Sequence, residues 1–114
     1  MGVLFYMKNQ RILRKIISYI DTILAYTKDV DYKGFEENRM MVEACIFNLS
    51  QIGELVNKLE KQYILDNPEV PWFKIRGLRN RIIHDYEGVN LVLIWEVIAS
   101  DLEELRDQLK KLKE

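Results

Sequence analysis

The segment from Arg79 to Tyr86 holds the residues of this chain best suited to chemistry at a phosphodiester. It reads Arg-Asn-Arg-Ile-Ile-His-Asp-Tyr and contains the only histidine of the protein, His84. Arginine is a permanent cation whose planar guanidinium can bind phosphate through two hydrogen bonds, and histidine can exchange a proton near neutral pH. Together they could stabilise charge on a phosphate and move a proton beside it.

Basic residues also precede the histidine, and no acidic residue interrupts them from position 72 onward. They are Lys74, Arg76, Arg79 and Arg81. The whole chain has a formal net charge of −1, so any affinity for nucleic acid must come from a local patch. The sequence therefore makes Lys74, Arg76 and Arg81 candidate contacts to RNA phosphate.

These residue types indicate RNA cleavage without a metal. A base would remove the proton of the ribose 2′-hydroxyl, which then attacks the adjacent phosphorus. His84 could be that base, or the acid that protonates the leaving oxygen. Arg79 would stabilise the added negative charge of the phosphorane. The product would be a 2′,3′-cyclic phosphate, and DNA, which lacks the 2′-hydroxyl, should resist.

The spacing of the two residues favours a site shared by two chains. On a regular helix Asn80 and His84 share one face, whereas Arg79 and His84 lie about 140° apart and about 7.5 Å along the axis. A long arginine could sweep around the helix, or the helix could distort. Alternatively, two copies of the segment could face each other across a two-fold axis. We predict such a homodimer, also because Ala44, Phe47 and Leu55 form a second apolar face.

Apolar residues recur at spacings of three and four along most of the chain, which is typical of amphipathic helices. The pattern predicts an all-α antiparallel bundle of four main helices, with room for an extra short one. The predicted helices cover about residues 8–29, 35–62 and 72–86, and residues 91 to the C-terminus. Asn90 is the predicted N-cap of the last helix.

Length and composition predict one folded domain over residues 1–114, with residues 1–6 as a short N-terminal extension. The chain is 48% apolar and 31% charged, as expected of a globular domain. The apolar start is too short to span a membrane. Cys45 is the only cysteine, so neither an internal disulfide nor a cysteine–histidine zinc set can form, which suggests a reducing cytoplasm. We predict no metal and no cofactor.

Each candidate also has a simpler interpretation. His84 could be a surface or capping group, and the basic run could be a solvated helix face. Arg81 and Asp85, four residues apart, could form a surface ion pair. Tyr86 could pack at a helix end.

Several other positions also have more than one interpretation. Gly77 could permit close approach of a helix or ligand, at a cost of about 1 kcal/mol relative to alanine. Trp72 and Trp95 are predicted core anchors. Asn48 and Gln51 could line a cleft, although simple hydrogen bonding is the plainer role.

Arg79, four residues, His84, one residue and Tyr86 together resemble the signature of the HepT toxins of the HEPN superfamily. The resemblance extends to residues 52–54, 68–72 and 75–80 and to the tryptophan of the last helix, and covers roughly residues 8–110. It implies an α-helical dimer that acts as a metal-independent endoribonuclease, the toxin half of a toxin–antitoxin pair.

The resemblance also implies roles for residues and partners. Arg79 and His84 would be catalytic, and Asn80 would orient the site. Tyr86 would accept AMP from a cognate minimal nucleotidyltransferase antitoxin, which blocks the cleft. Transfer RNA is the substrate that the family suggests. The main alternative is a HEPN domain without nuclease activity, a nucleotide- or substrate-binding accessory of a nucleotidyltransferase; a plain helical dimerisation module is a third.

Overall fold

The computed structural model describes residues 2–77 and 90–113, and every regular element in these two ranges is helical. The elements, in chain order, are α1 (Gly2–Tyr26), α2 (Tyr32–Glu37), α3 (Arg39–Val56), α4 (Lys61–Asp66), α5 (described at 72–77), α6 (Leu91–Glu96) and α7 (Leu102–Lys113). A π-helical turn, Val97–Asp101, joins α6 to α7. The all-α prediction is confirmed.

Helix α1 begins earlier and ends earlier than its apolar pattern predicted. It starts at Gly2 rather than at residue 8, so residues 2–6 are helical and continuous with the rest of α1. It ends at Tyr26, and Asp29 in the following turn has a positive φ of 61°. That left-handed conformation is compatible with aspartate and reverses the chain after the helix.

The continuous helix predicted for residues 35–62 is divided into three. The Asp31 side chain accepts a 2.8 Å hydrogen bond from the Gly34 amide and caps α2. The Asn38 side chain accepts one of 3.0 Å from the Met41 amide and caps α3. Both side chains satisfy N-terminal amides that have no partner within the helix. A turn after Val56 then leads to α4.

The core lies where α1 packs against α3 and α7. Its fully buried side chains come from all three helices and from α2, and they include Leu13, Ile16, Ile20, Phe35, Leu49, Ile52 and Leu109. The Phe35 ring also contacts the half-buried Trp95, with ring centroids 5.1 Å apart. The periodic apolar residues therefore form one continuous core.

The last helix starts where the sequence predicted. The Asn90 side chain accepts hydrogen bonds from the Val92 and Leu93 amides at 3.1 and 3.3 Å, so its role as N-cap is confirmed. Further on, the Leu102 amide bonds the Val97 carbonyl, five residues back. This π turn is not visible in the apolar spacing.

Cys45 is buried, whereas the second apolar face predicted for α3 is only partly buried. The thiol of Cys45 is buried, and burial raises its pKa to about 11, so it stays protonated at neutral pH. Leu55 is buried within its own chain, whereas Phe47 is 58% exposed.

No described helix is long and apolar enough to cross a membrane.

Candidate functional site

The structure describes the approach to the candidate site rather than the motif itself. Five of the predicted site residues lie outside the described ranges, namely Arg79, Asn80, Arg81, His84 and Tyr86. The other two, Lys74 and Arg76, lie on α5, just before the motif. The surroundings of α5 therefore define the described side of the site.

Trp72 anchors the start of α5, as the sequence predicted. Its ring is 4% exposed, and its indole Nε1 donates a 2.9 Å hydrogen bond to the Asn67 carbonyl. The Pro71 carbonyl accepts hydrogen bonds from the Lys74 and Ile75 amides, which forms the first helical turn. Proline suits this place because the first helical amides have no partner within the helix.

The side chains of α5 divide between core and solvent. Ile75 is buried, Lys74 is exposed and Arg76 is half-buried. The Nε of Arg76 is enclosed and has no hydrogen-bond partner among the described residues, a costly condition for a guanidinium nitrogen. Phe73 is 85% exposed, an unusual place for an aromatic ring.

A cleft of about 640 Å³ opens beside α5, between α3 and the last helical stretch. We call it the motif-side cleft; its lining residues include Leu49, Phe73, Lys74, Gly77, Leu93 and Val97. Three carboxylates also line it, those of Glu69, Asp101 and Glu104, against the single cation of Lys74. The described part of this cleft is therefore apolar and acidic rather than basic, and a phosphate there would meet repulsion.

Gly77 lies at the motif-side cleft, whereas Asn48 is not among its described lining residues. A Cβ added to Gly77 would meet no atom within 4 Å among the described residues, so close packing does not explain this glycine there. The Asn48 side-chain amide donates a 2.7 Å hydrogen bond to the Ala44 carbonyl on its own helix. Simple hydrogen bonding, the plainer of the two interpretations, is the one observed.

A second cleft, of about 600 Å³, was not predicted. It lies between α1 and the turn after α3 and is lined by Lys8, Arg11, Ile12, Asn57, Lys58, Leu59 and Glu60. We call it the basic cleft, because it holds three cations and one carboxylate. A signal was present in the sequence: the first twenty residues contain four basic residues and no acid. Nothing in the sequence, however, placed Lys58 beside them.

No group of three or more histidine, cysteine or carboxylate side chains within residues 2–77 and 90–113 could hold a metal ion.

Comparison with known proteins gives one consistent result. Residues 16–112 match the sequence model of a family described as ribonuclease HepT-like. A candidate RNase of Methanocaldococcus jannaschii is 35% identical over 100 residues, which cover 88% of this chain and 86% of that protein. A candidate RNase of Caldanaerobacter subterraneus is 33% identical, with coverages of 88% and 89%. A candidate ribonuclease HepT of Thermococcus cleftensis is 27% identical, with coverages of 89% and 92%. No solved structure gives a significant match.

Proposed function

Because the chain belongs to the HepT-like ribonuclease family, we propose that it is a metal-independent endoribonuclease. The observation that carries this proposal is the order of Arg79, His84 and Tyr86 within residues 16–112, the part of the chain that matches the family. These are the residue types that metal-free cleavage of RNA needs, at the spacing of the HepT signature.

In the proposed reaction the ribose 2′-oxygen attacks the adjacent phosphorus. His84 takes the proton from the 2′-hydroxyl, or gives a proton to the 5′-oxygen as that oxygen leaves. Arg79 donates hydrogen bonds to the phosphorane, where negative charge accumulates in the transition state. Asn80 orients the site. The products are a 2′,3′-cyclic phosphate and a free 5′-hydroxyl, so the proton removed at one oxygen is matched by the proton added at the other.

We place this reaction in a cleft shared by two copies of the chain. Phe73 supports this because an 85% exposed ring immediately before the motif suggests a surface that a partner covers. If α5 continues to Tyr86 as the sequence predicts, Phe73, Gly77, Asn80 and His84 fall at spacings of four, three and four. Such positions share one helix face, so the exposed ring and the histidine would meet the same partner.

The motif-side cleft limits where RNA phosphate can bind. Lys74 lines this cleft opposite three carboxylates, so Lys74 by itself supplies little attraction for a polyanion. We therefore assign the direct contacts with the scissile phosphate to Arg79, with Arg76 and Arg81 as further candidates. The substrate we favour is transfer RNA.

We further propose that the protein is the toxin of a cytoplasmic toxin–antitoxin pair. Its antitoxin would be a minimal nucleotidyltransferase that joins AMP to the hydroxyl of Tyr86. Tyr86 belongs to the same motif as His84, and the added nucleotide would place bulk and a negative phosphate in the cleft shared by the two chains. Both would exclude the RNA phosphate, the second through like-charge repulsion.

His84→Ala tests the reaction most directly. Loss of the proposed acid–base group should lower the cleavage rate by about 10² to 10⁴-fold, measured on transfer RNA with a chelator present throughout. The exposed Lys28→Gln variant is the control and should cleave like the wild type. Equal cleavage by wild type and His84→Ala would disprove the mechanism, and loss of wild-type cleavage in chelator would disprove metal independence.

Tyr86→Phe tests the regulation. The variant keeps the ring but has no hydroxyl to accept AMP, so it should still cleave RNA in the presence of the transferase and ATP, whereas the wild type is silenced. Mass spectrometry should find AMP on the wild type only. AMP on another residue of both proteins would contradict the assignment to Tyr86.

A further inference from the structure

We propose that the basic cleft is a second binding site for the RNA backbone, separate from the motif. This rests on the RNA substrate proposed above, but its residues belong to α1 and to the turn after α3. Among the described residues, the basic cleft and the motif-side cleft have no lining residue in common. The second site would hold the length of the substrate, while the motif acts at one phosphodiester.

The first support is the arrangement of cations along α1. Lys8, Arg11 and Lys15 follow one another at spacings of three and four residues, and Arg14 lies beside them. All four are exposed, and they occupy the face opposite the buried isoleucines of the helix. From Lys8 to Lys15 this row is about 10 Å long, with no acid before Asp21.

The second support is the charge balance inside the cleft. The one carboxylate among its described lining residues, that of Glu60, already contacts the Lys8 ammonium at 2.8 Å. Within the described parts of the chain, Arg11 and Lys58 form no ion pair. Two cations, one on α1 and one in the turn after α3, thus face one space without a compensating charge, an arrangement that attracts a polyanion.

The third support is that the cleft is held by buried contacts. Asn9 is fully buried next to this cleft, and its side-chain oxygen accepts a 3.3 Å hydrogen bond from the Glu60 amide. This bond ties the turn after α3 to α1 and fixes Lys58 relative to Arg11. Gln10 donates a 3.3 Å hydrogen bond to the Leu112 carbonyl, so the lysines near the end of α7 lie at the same end of the bundle.

RNA fits this surface better than an anionic membrane does. A helix that lies on a membrane inserts its own apolar face, but the apolar face of α1 is buried against α3 and α7. Among its described side chains, α1 exposes large apolar groups only near its two ends, those of Val3, Leu4, Tyr6, Met7 and Tyr26. The cleft itself offers cations and an amide, Asn57, which suit a chain of phosphates.

The double variant Arg11→Gln/Lys58→Gln tests the proposal, in a His84→Ala background so that the probe stays intact. The probe is a fluorescein-labelled oligouridylate of about 20 nucleotides, followed by anisotropy over a range of salt concentrations. Loss of two phosphate contacts should make the salt exponent shallower by about 1.4 and weaken binding roughly 25-fold at about 0.1 M salt.

The matched control is Lys28→Gln/Lys33→Gln, which removes the same charge from exposed positions outside the cleft. It should bind the probe nearly like its parent. Arg11→Lys alone should retain most of the affinity, because the positive charge remains. Circular dichroism should show the helix content of the His84→Ala parent in all variants, since the side chains of Arg11, Lys58, Lys28 and Lys33 are exposed.

Three results would overturn the proposal: no binding of the probe by the parent protein, unchanged binding by Arg11→Gln/Lys58→Gln, or an equal loss in the control pair. The proposal would also be overturned, in favour of a membrane, if Arg11→Gln/Lys58→Gln lost binding to phosphatidylserine vesicles but kept its binding to RNA. Cleavage assays separate the two proposals. If the wild type cleaves RNA and the double variant binds the probe normally, only the second site is contradicted. If the wild type binds RNA but never cleaves it, only the proposed function is contradicted.

Discussion

The two clefts of this bundle differ in charge in a way that the chain order conceals. The motif-side cleft lies beside Lys74, which belongs to the basic run of the sequence, yet its described lining has three carboxylates and one lysine. The basic cleft has three cations and one carboxylate, and its residues come from two places about fifty positions apart in the chain. Charge runs in a sequence therefore show which residues are present, but packing decides which charges face one another.

This difference suggests a division of labour between the two surfaces. A nuclease needs a few well-placed groups at the scissile phosphate and a broader positive surface that binds the rest of the substrate. The motif supplies the first, and α1 with Lys58 supplies the second. Three further variants test whether the two clefts act independently.

The largest expected effect comes from Trp72→Ala, beside the motif-side cleft. Removing a buried indole should lower the free energy of unfolding by about 3–5 kcal/mol, measured by urea denaturation. At low denaturant the folded fraction should bind oligouridylate normally, because the basic cleft is built from α1 and α3, whereas cleavage should fall. Equal loss of binding and cleavage per folded molecule would show that the two clefts are not independent.

The next effect should come from Asn9→Ala, beside the basic cleft. It leaves the Glu60 amide without the side-chain oxygen that accepts its hydrogen bond, and an unsatisfied buried group costs about 1–3 kcal/mol. We expect reduced stability and weaker RNA binding, with the rate of cleavage at saturating RNA little changed. An unaltered affinity would show that the geometry of the basic cleft does not depend on this hydrogen bond.

The smallest effect should come from Asp101→Asn/Glu104→Gln, which removes two of the carboxylates of the motif-side cleft. If RNA approaches the motif past these groups, losing their repulsion should strengthen binding by about two- to fivefold at low salt and less at high salt. The paired control is Glu36→Gln/Glu37→Gln on α2, away from both clefts. A gain as large in the control would assign the effect to net charge alone.

Much of the fold could be predicted because helices have a local signature. The apolar spacing identified the helical regions, and the polar side chain at position 90 identified the start of the last helix. The first division of residues 35–62 was missed because no proline or glycine marks it, and the amide that Asn38 caps becomes visible only in the structure. The π turn at Val97–Asp101 was missed because one extra residue in a helical turn leaves almost no trace in periodicity.

The candidate site, too, could be predicted from the sequence only in part. Lys74 and Arg76 were both predicted to contact RNA, but packing separates them. Lys74 lines the motif-side cleft, whereas Arg76 is half-buried with an enclosed Nε. The assignments of Arg79, Asn80, Arg81, His84 and Tyr86 lie outside the described residues and stay predictions. The basic cleft was missed because Lys58 is far from Arg11 in the chain, and no local pattern joins them.

By itself the sequence determined the helical class of this protein and the N-cap at Asn90. Through the spacing of Arg79, His84 and Tyr86 it also determined the family. These properties depend on neighbours within one or two turns of the same segment, which a linear pattern records. Only the tertiary structure decided that the carboxylates of Asp101 and Glu104 face Lys74, and that Lys58 joins Arg11 across a cleft. The reason is physical: burial of the apolar faces fixes how the helices pack, and the charges on their outer faces then meet across distances that the sequence does not record.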